Sequence, residues 1–375
     1  MKYYIIAGEA SGDLHGSNLI RELRVQDPDA HIRCWGGDLM QEAGGTLARH
    51  YKSMAFMGFF EVIANLGSIF RNISYCKEDI EEFNPDVVIF IDFSGFNLRI
   101  AKWAKAKGYR TNYYISPQIW ASRENRIKKI KRDIDAMYVI LPFEKDFYEK
   151  KHDFPVHFVG HPLIDAIANT KAEVPEVTRK QLGLAPDKKV IALLPGSRVQ
   201  EVQKTLDVML SVARGMDEYQ FVIAGAPSLE DSFYEPFTRK GNVSFVKNRT
   251  YELLGVAHAA LVTSGTATLE TALFNVPQVV CYNGNWISYQ IAKRIITLDY
   301  ISLVNLVMGK EVVKELIQGD LTTANLREEL NKILEGPVRQ EQLKAYEELR
   351  KKLGGRGASK EAASLIIAGL KDHQQ

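Results

Sequence analysis

The chain is poor in cysteine, with three in 375 residues. Cys34, Cys76 and Cys281 stand far apart in apolar surroundings, and no C-x-x-C pair occurs. That excludes a disulfide framework and a cysteine zinc site, and it fits a reducing, cytoplasmic setting. Long hydrophobic runs are also missing. No stretch approaches the ~20 apolar residues that span a bilayer, so any membrane contact is expected to be peripheral. One lysine and a short apolar strand precede Gly8, which is not the layout of a signal peptide. Net charge is only +2, which offers no global attraction for nucleic acid. The turn after the first strand is neither G-x-G-x-x-G nor G-x-x-x-x-G-K-S/T. This speaks against a nicotinamide dehydrogenase and against a P-loop ATPase. No D-x-D pair follows a strand where a metal-dependent sugar-nucleotide enzyme would need one. No metal site and no cofactor are expected.

What is present is one construction, repeated. Tyr3–Ala7 runs into Gly8-Glu9-Ala10-Ser11-Gly12-Asp13; Val190–Leu194 runs into Pro195-Gly196-Ser197-Arg198; Ala260–Thr263 runs into Ser264-Gly265-Thr266. Each is a strand that ends in small residues and opens a helix. Such a turn aims free N–H groups and a positive dipole end at one spot, which suits a phosphate. The length exceeds a single core and predicts two domains. Further strands are expected at His31–Trp35, Val87–Ile91, Thr111–Ile115, Ala136–Leu141, Val156–Val159, Gln220–Ala224, Val243–Val246 and Gln278–Tyr282. Helical patterns lie between them, for example at Asn18–Arg24, Leu98–Lys107 and Val202–Arg214. The alternation reads as an α/β chain with parallel sheets. The expected division is 1–165, 166–340 and a charged helical tail at 341–375. The sequence leaves open whether that tail returns to the first domain or reaches a second subunit.

Candidate chemistry falls at the carboxyl ends of strands, where ligands bind in such sheets. Asp92 ends the buried strand Val87–Ile91. Its apolar flanks raise a carboxyl pKa toward the range of a general base. Asn97 is the expected cap of the helix that follows. Glu9, Ser11, Gly12, Asp13 and His15 offer polar handles near the first turn, although Asp13 reads equally as a helix cap. Ser116–Ala121 ends another strand, with Gln118 toward the ligand. From Arg99 to Arg132 there are eleven basic residues and one acid, Glu124. Within that run Arg123, Arg126, Lys128 and Lys129 are candidates for a phosphate on an incoming acceptor. Met54, Phe56, Met57, Phe59 and Phe60 form an adaptable apolar segment that reads as core, as lipid contact, or as both. In the second half, Arg198, Ser264, Gly265 and Thr266 supply donors for a diphosphate. Glu270 stands where a carboxylate accepts both hydroxyls of a ribose.

Together these residues resemble the lipid-A-disaccharide synthase family. The stretches that carry the likeness are GEASGD at 8–13, MGF-x-EV at 57–62, ID-x-x-x-FN at 91–97, SPQ-x-WA at 116–121, LPFE at 141–144, GHP at 160–162, LPGSR at 194–198, SGTATLE at 264–270 and SL-x-N at 302–305. They keep their order over nearly the whole chain. The resemblance implies two facing Rossmann-like domains of the GT-B type with a central cleft. It implies an inverting, metal-independent transfer from UDP-2,3-diacylglucosamine to 2,3-diacylglucosamine 1-phosphate, made at an inner-membrane lipid surface. It also implies Asp92 as the base, Arg198 as the diphosphate contact, and Asn305 as a further donor near the nucleotide. Ser94-Gly95 stands where the family often has Pro-Asp, so a second acid near Asp92 is missing. Rival readings are another UDP-N-acetylglucosamine enzyme on the same fold (a muramyl-lipid glycosyltransferase or a 2-epimerase) or a nucleotide- or lipid-binding protein without catalysis. A homodimer stays open.

Overall fold

The computed structural model describes residues 1–53, 66–168, 174–196, 199–226, 229–238, 242–284 and 299–374. Thirteen strands lie among them. The first seven are β1 (Lys2–Ala7), β2 (His31–Gly36), β3 (Thr46–His50), β4 (Val87–Ile91), β5 (Arg110–Tyr114), β6 (Ala136–Val139) and β7 (His157–Phe158). The other six are β8 (Lys189–Leu194), β9 (Tyr219–Gly225), β10 (Val243–Lys247), β11 (Ala259–Val262), β12 (Gln278–Tyr282) and β13 (Lys314–Ile317). They form two all-parallel sheets, ordered β3-β2-β1-β4-β5-β6-β7 and β10-β9-β8-β11-β12-β13. Each sheet reverses its order once, between β1 and β4 and between β8 and β11. Such switch points open a crevice at the carboxyl ends of the two strands, where Rossmann-type sheets hold ligands.

The strands are apolar at successive positions because helices cover both faces of each sheet. In the second sheet Ile191, Leu193, Phe221, Ile223 and Leu261 pack into one core. The alternate residues Val190, Ala192, Leu194, Val222 and Val262 pack into another on the opposite face. The three cysteines are buried free thiols. No helix among the described residues is long and apolar enough to cross a membrane.

The chain forms two compact units. The first comprises 1–166 with 353–375, and the second 167–352. The final helix, Ala358–Gln374, packs on the first helix, Ala10–Gln26. Ser364 Oγ donates to Gln26 Oε1 at 2.8 Å, and Asp165 accepts from the Gly357 N–H at 2.7 Å. The tail expected from 341 onward is divided. Pro337–Lys352 is one helix that stays with the second unit. Gln342 there exchanges hydrogen bonds with the Gln278 backbone, and Arg350 donates to the Leu273 carbonyl at 2.7 Å. Gly354 to Gly357 interrupt the helical run, and the chain enters the first unit only at Leu353.

Candidate functional site

Asp92 and the Gly8 turn meet at the switch point of the first sheet, since β1 and β4 pair in register from Tyr3↔Val87 to Ala7↔Ile91. Asp92 and Phe93 both adopt left-handed backbone, with φ of 42° and 44°. Two consecutive non-glycine residues there store strain that must be held by their surroundings. The Asn97 amide donates to the Asp92 carbonyl at 2.8 Å, and the Tyr113 hydroxyl donates to the same oxygen at 2.5 Å. Asn97 is therefore not the helix cap. The helix already starts at Ser94, and the amide reaches back to the strained turn. Gly8 is required here, because a Cβ on it would stand 2.3 Å from the Phe93 ring.

Burial and the neighbouring Glu9 carboxylate raise the Asp92 pKa to about 6. A cavity of about 320 Å³ opens beside it, lined by Ser94, Pro117, Gln118, Ile119, Ser122, Arg123 and Arg126 as well as Asp92. A second cavity of about 420 Å³ shares Ser94, Arg123 and Arg126 and adds Arg99, Lys102, Lys129 and Arg132. Among the described residues no carboxylate pairs with Arg99, Lys102, Arg123, Arg126 or Lys129, whereas Asp133 holds Arg132. Arg126 donates to Ser94 Oγ at 2.7 Å. Burial, then Arg123 and Arg99, push its guanidinium below the usual value. Crowded cations with no carboxylate paired to them among the described residues suit an anionic group. Lys128 is exposed and lines neither cavity.

The other handles of the first turn divide. Glu9 and Ser11 are exposed at the start of the first helix. Gly12 lets that helix close on Ala7. Asp13 does not cap its own helix. Its carboxylate accepts from the N–H groups of Gly37 (2.7 Å), Leu39 (3.2 Å) and Met40 (3.0 Å), so it caps the neighbouring helix Asp38–Glu42. His15 is buried, and burial lowers its pKa to about 4; it is a neutral interior imidazole. Met54, Phe56, Met57, Phe59 and Phe60 lie outside the described residues.

In the second unit, β8 and β11 pair from Ile191↔Ala259 to Leu194↔Val262, so Pro195-Gly196 and Thr263-Ser264-Gly265 emerge side by side. The helix Thr266–Leu273 starts at Gly265, whose φ of 105° suits glycine, and Thr266 is exposed at its first turn. Arg198 and Ser197 lie outside the described residues. Glu270 is half-buried, and burial raises its pKa while the Tyr251 hydroxyl, 3.0 Å from Oε1, opposes that. Asn305 is fully buried and its amide is committed. Nδ2 donates to the Val313 carbonyl and Glu315, and Oδ1 accepts from the N–H groups of Val312 and Val313. No donor on it is left for a nucleotide; it fixes the loop before β13.

The sequence alone does not single out Tyr113, Ser94 and Lys102 as candidates, and it marks Arg99 and Arg132 only as the ends of the basic run. Arg99 and Lys102 carried a signal, since a helical spacing of three places them on the face that continues into Arg123. Tyr113 carried none, because its role depends on the pairing of β4 with β5.

Two Rossmann-type sheets, with small-residue turns at their switch points and a half-buried acid at one of them, make a fold that nucleotide-sugar glycosyltransferases and epimerases share. Solved structures agree on the fold. The UDP-GlcNAc 2-epimerase of Neisseria meningitidis, bound to UDP-GlcNAc, has a TM-score of 0.72 at 15% identity, covering 98% of this chain and 100% of that one. The glycotransferase of kitacinnamycin has a TM-score of 0.68 at 15% identity, covering 98% and 99%.

Within that class the chain belongs to the lipid-A-disaccharide synthetase family, whose model matches residues 3–368. It is 39% identical to the lipid-A-disaccharide synthase of Geobacter metallireducens over 98% of this chain and 96% of that one. The corresponding enzyme of Myxococcus xanthus is 35% identical, over 97% and 96%.

Proposed function

We propose that the enzyme condenses UDP-2,3-diacylglucosamine with 2,3-diacylglucosamine 1-phosphate, giving the β(1→6) disaccharide 1-phosphate and UDP. The observation that carries this reading is Asp92, strained into place at a switch point with a raised pKa, beside a cavity whose Arg123 and Arg126 have no paired carboxylate among the described residues. Asp92 takes the proton from the acceptor 6-hydroxyl as that oxygen attacks the anomeric carbon. The bond from that carbon to the diphosphate breaks on the opposite side, so the configuration inverts. Arg126, with Arg123 and Lys129, holds the acceptor phosphate. The turns at 195–198 and 264–266 receive the diphosphate, with Arg198 as its cation. Glu270, steadied by Tyr251, takes the ribose hydroxyls. The acylated substrates meet the protein at the cytoplasmic face of the inner membrane through the segment containing Met54, Phe56, Met57, Phe59 and Phe60. The exposed Phe70 follows it in the chain and supports that reading.

The test is disaccharide formation by the wild type and Asp92→Asn, with chelator present. Turnover by the wild type, with a loss of about 10²–10⁴ in a variant that still binds UDP, is expected. No product from folded wild type overturns the activity. Full turnover by the variant removes Asp92 as the base.

A further inference from the structure

Behind the wall of the Asp92 cavity lies a carboxylate with no substrate to touch. Glu144 sits in the helix Pro142–Asp146 and is 1% exposed. Ser116 Oγ and the Trp120 indole N–H donate to its Oε1, at 2.6 and 3.0 Å. The N–H groups of Ile140 and Leu141 donate to Oε2, at 3.1 and 2.9 Å. Burial pushes its pKa up, and these four donors oppose the push. Three of the four partners are N–H groups that can only donate, whereas the Ser116 hydroxyl donates here and is able to accept.

The two oxygens serve different segments. One holds the turn after β6. The other holds the loop after β5, and that loop is the cavity wall: Pro117, Gln118, Ile119, Ser122 and Arg123 all line it. Left-handed residues bracket the loop, Ile115 at φ 62° and Arg123 at φ 61°. A β-branched residue in that region is a true outlier and does not stay there unaided. The braces are Glu144, the Tyr148 hydroxyl on the Pro117 carbonyl at 3.2 Å, and the edge contact of Trp120 with Phe143.

We propose that Glu144 is a positioning residue for the transfer: its carboxylate ties the loop after β5 to the turn after β6 and so fixes Gln118 and Arg123 at the cavity wall. It acts through the loop and not on the reacting atoms. The inference rests on the reading of this cavity as the acceptor pocket.

Glu144→Gln keeps the shape and replaces one acceptor by an N–H₂ group. The Ser116 hydroxyl can turn to accept, but the indole and peptide N–H groups cannot. The acceptor KM is expected to rise and kcat to fall, each by about tenfold, because a small displacement of a positioning wall is costly to the reaction. UDP affinity stays at the wild-type value, and the emission of Trp120 shifts, read as the difference from the same variant carrying Trp120→Phe. Trp120→Phe alone keeps the Glu144 carboxylate and an aromatic ring, though a smaller one, and deletes one donor. It is expected to move KM and kcat the same way by about threefold, with an unchanged melting temperature, and it carries the test if Glu144→Gln folds poorly.

Wild-type KM and kcat in both variants would overturn the proposal, as would a loss that tracks the unfolded fraction and lowers UDP affinity equally. An unchanged acceptor KM in Arg126→Gln would instead remove the reading of the cavity as the acceptor pocket, and an active Asp92→Asn variant would remove only Asp92 as the base. Inactive Asp92→Asn beside fully active Glu144 and Trp120 variants would remove this inference alone.

Discussion

The Tyr113 hydroxyl donates to the main-chain carbonyl of Asp92 at 2.5 Å, from near the carboxyl end of the neighbouring strand. The Asp92 backbone is thus held by a hydroxyl whose hydrogen bond goes to the main-chain carbonyl and not to the carboxylate. Tyr113→Phe keeps the ring and removes this bond, leaving Asn97 as the remaining donor to that oxygen. The expected result is a fall in kcat of about tenfold with the donor KM unchanged, read from initial rates against each substrate.

Asp92 must be ionised to accept a proton. With its pKa raised to about 6, kcat/KM should climb as pH rises through about 6 and level off above it. Glu9 is the charged part of that shift. Glu9→Gln removes a neighbouring negative charge and should move the limb to lower pH; a pH profile of the two proteins checks this.

The same shift has a stability consequence. A folded-state pKa above the unfolded value means that ionising Asp92 costs stability at neutral and alkaline pH. That cost fades as pH falls from about 6 toward the ordinary aspartate value. Asp92→Asn should therefore stabilise the protein by about 1–3 kcal/mol at pH 8, and the gain should shrink toward pH 4. Asparagine also tolerates the left-handed backbone at this position better than most residues. Urea denaturation at the two pH values measures both the sign and the trend.

Arg126 stands in both cavities and is crowded by like charge. Arg126→Gln should raise the KM of the phosphorylated acceptor by about tenfold or more and flatten its dependence on salt. UDP affinity should not change, which a titration with UDP tests.

Asn305 makes four hydrogen bonds in full burial. Asn305→Ala leaves Glu315 and the 312–313 backbone without that partner. A loss of about 2–4 kcal/mol is expected in the same denaturation assay.

Most of the strands that the sequence revealed carry apolar residues on both faces. The two it hid, β3 and β13, are both edge strands. Their residues are largely half-buried, as in Thr46-Leu47-Ala48-Arg49-His50, and give neither a run nor a clean alternation. At the site, Asp92 was legible because a carboxylate directly after a buried run is conspicuous. Asp13 was misjudged because its partners at 37–40 come from another strand's exit, which no local pattern records. Asn305 looked like a free donor for the same reason: the 312–315 segment that consumes it is distant in sequence. Glu144 was visible only as part of a stretch of family likeness, since its four donors assemble when β5 and β6 pair.

The pairing of the last helix with the first sets an order of events during synthesis. Gln26 and Lys360 are 334 residues apart and hydrogen-bonded. At about 5–20 residues per second, the ribosome needs roughly 20–60 seconds to travel from one to the other. Through that interval the first helix waits without its partner, while residues 167–352 emerge as one uninterrupted stretch and can collapse on their own core. The unit that bears Asp92 is therefore the last to be finished, and a chain cut short before Leu353 joins a complete 167–352 unit to a first unit that lacks its closing helix.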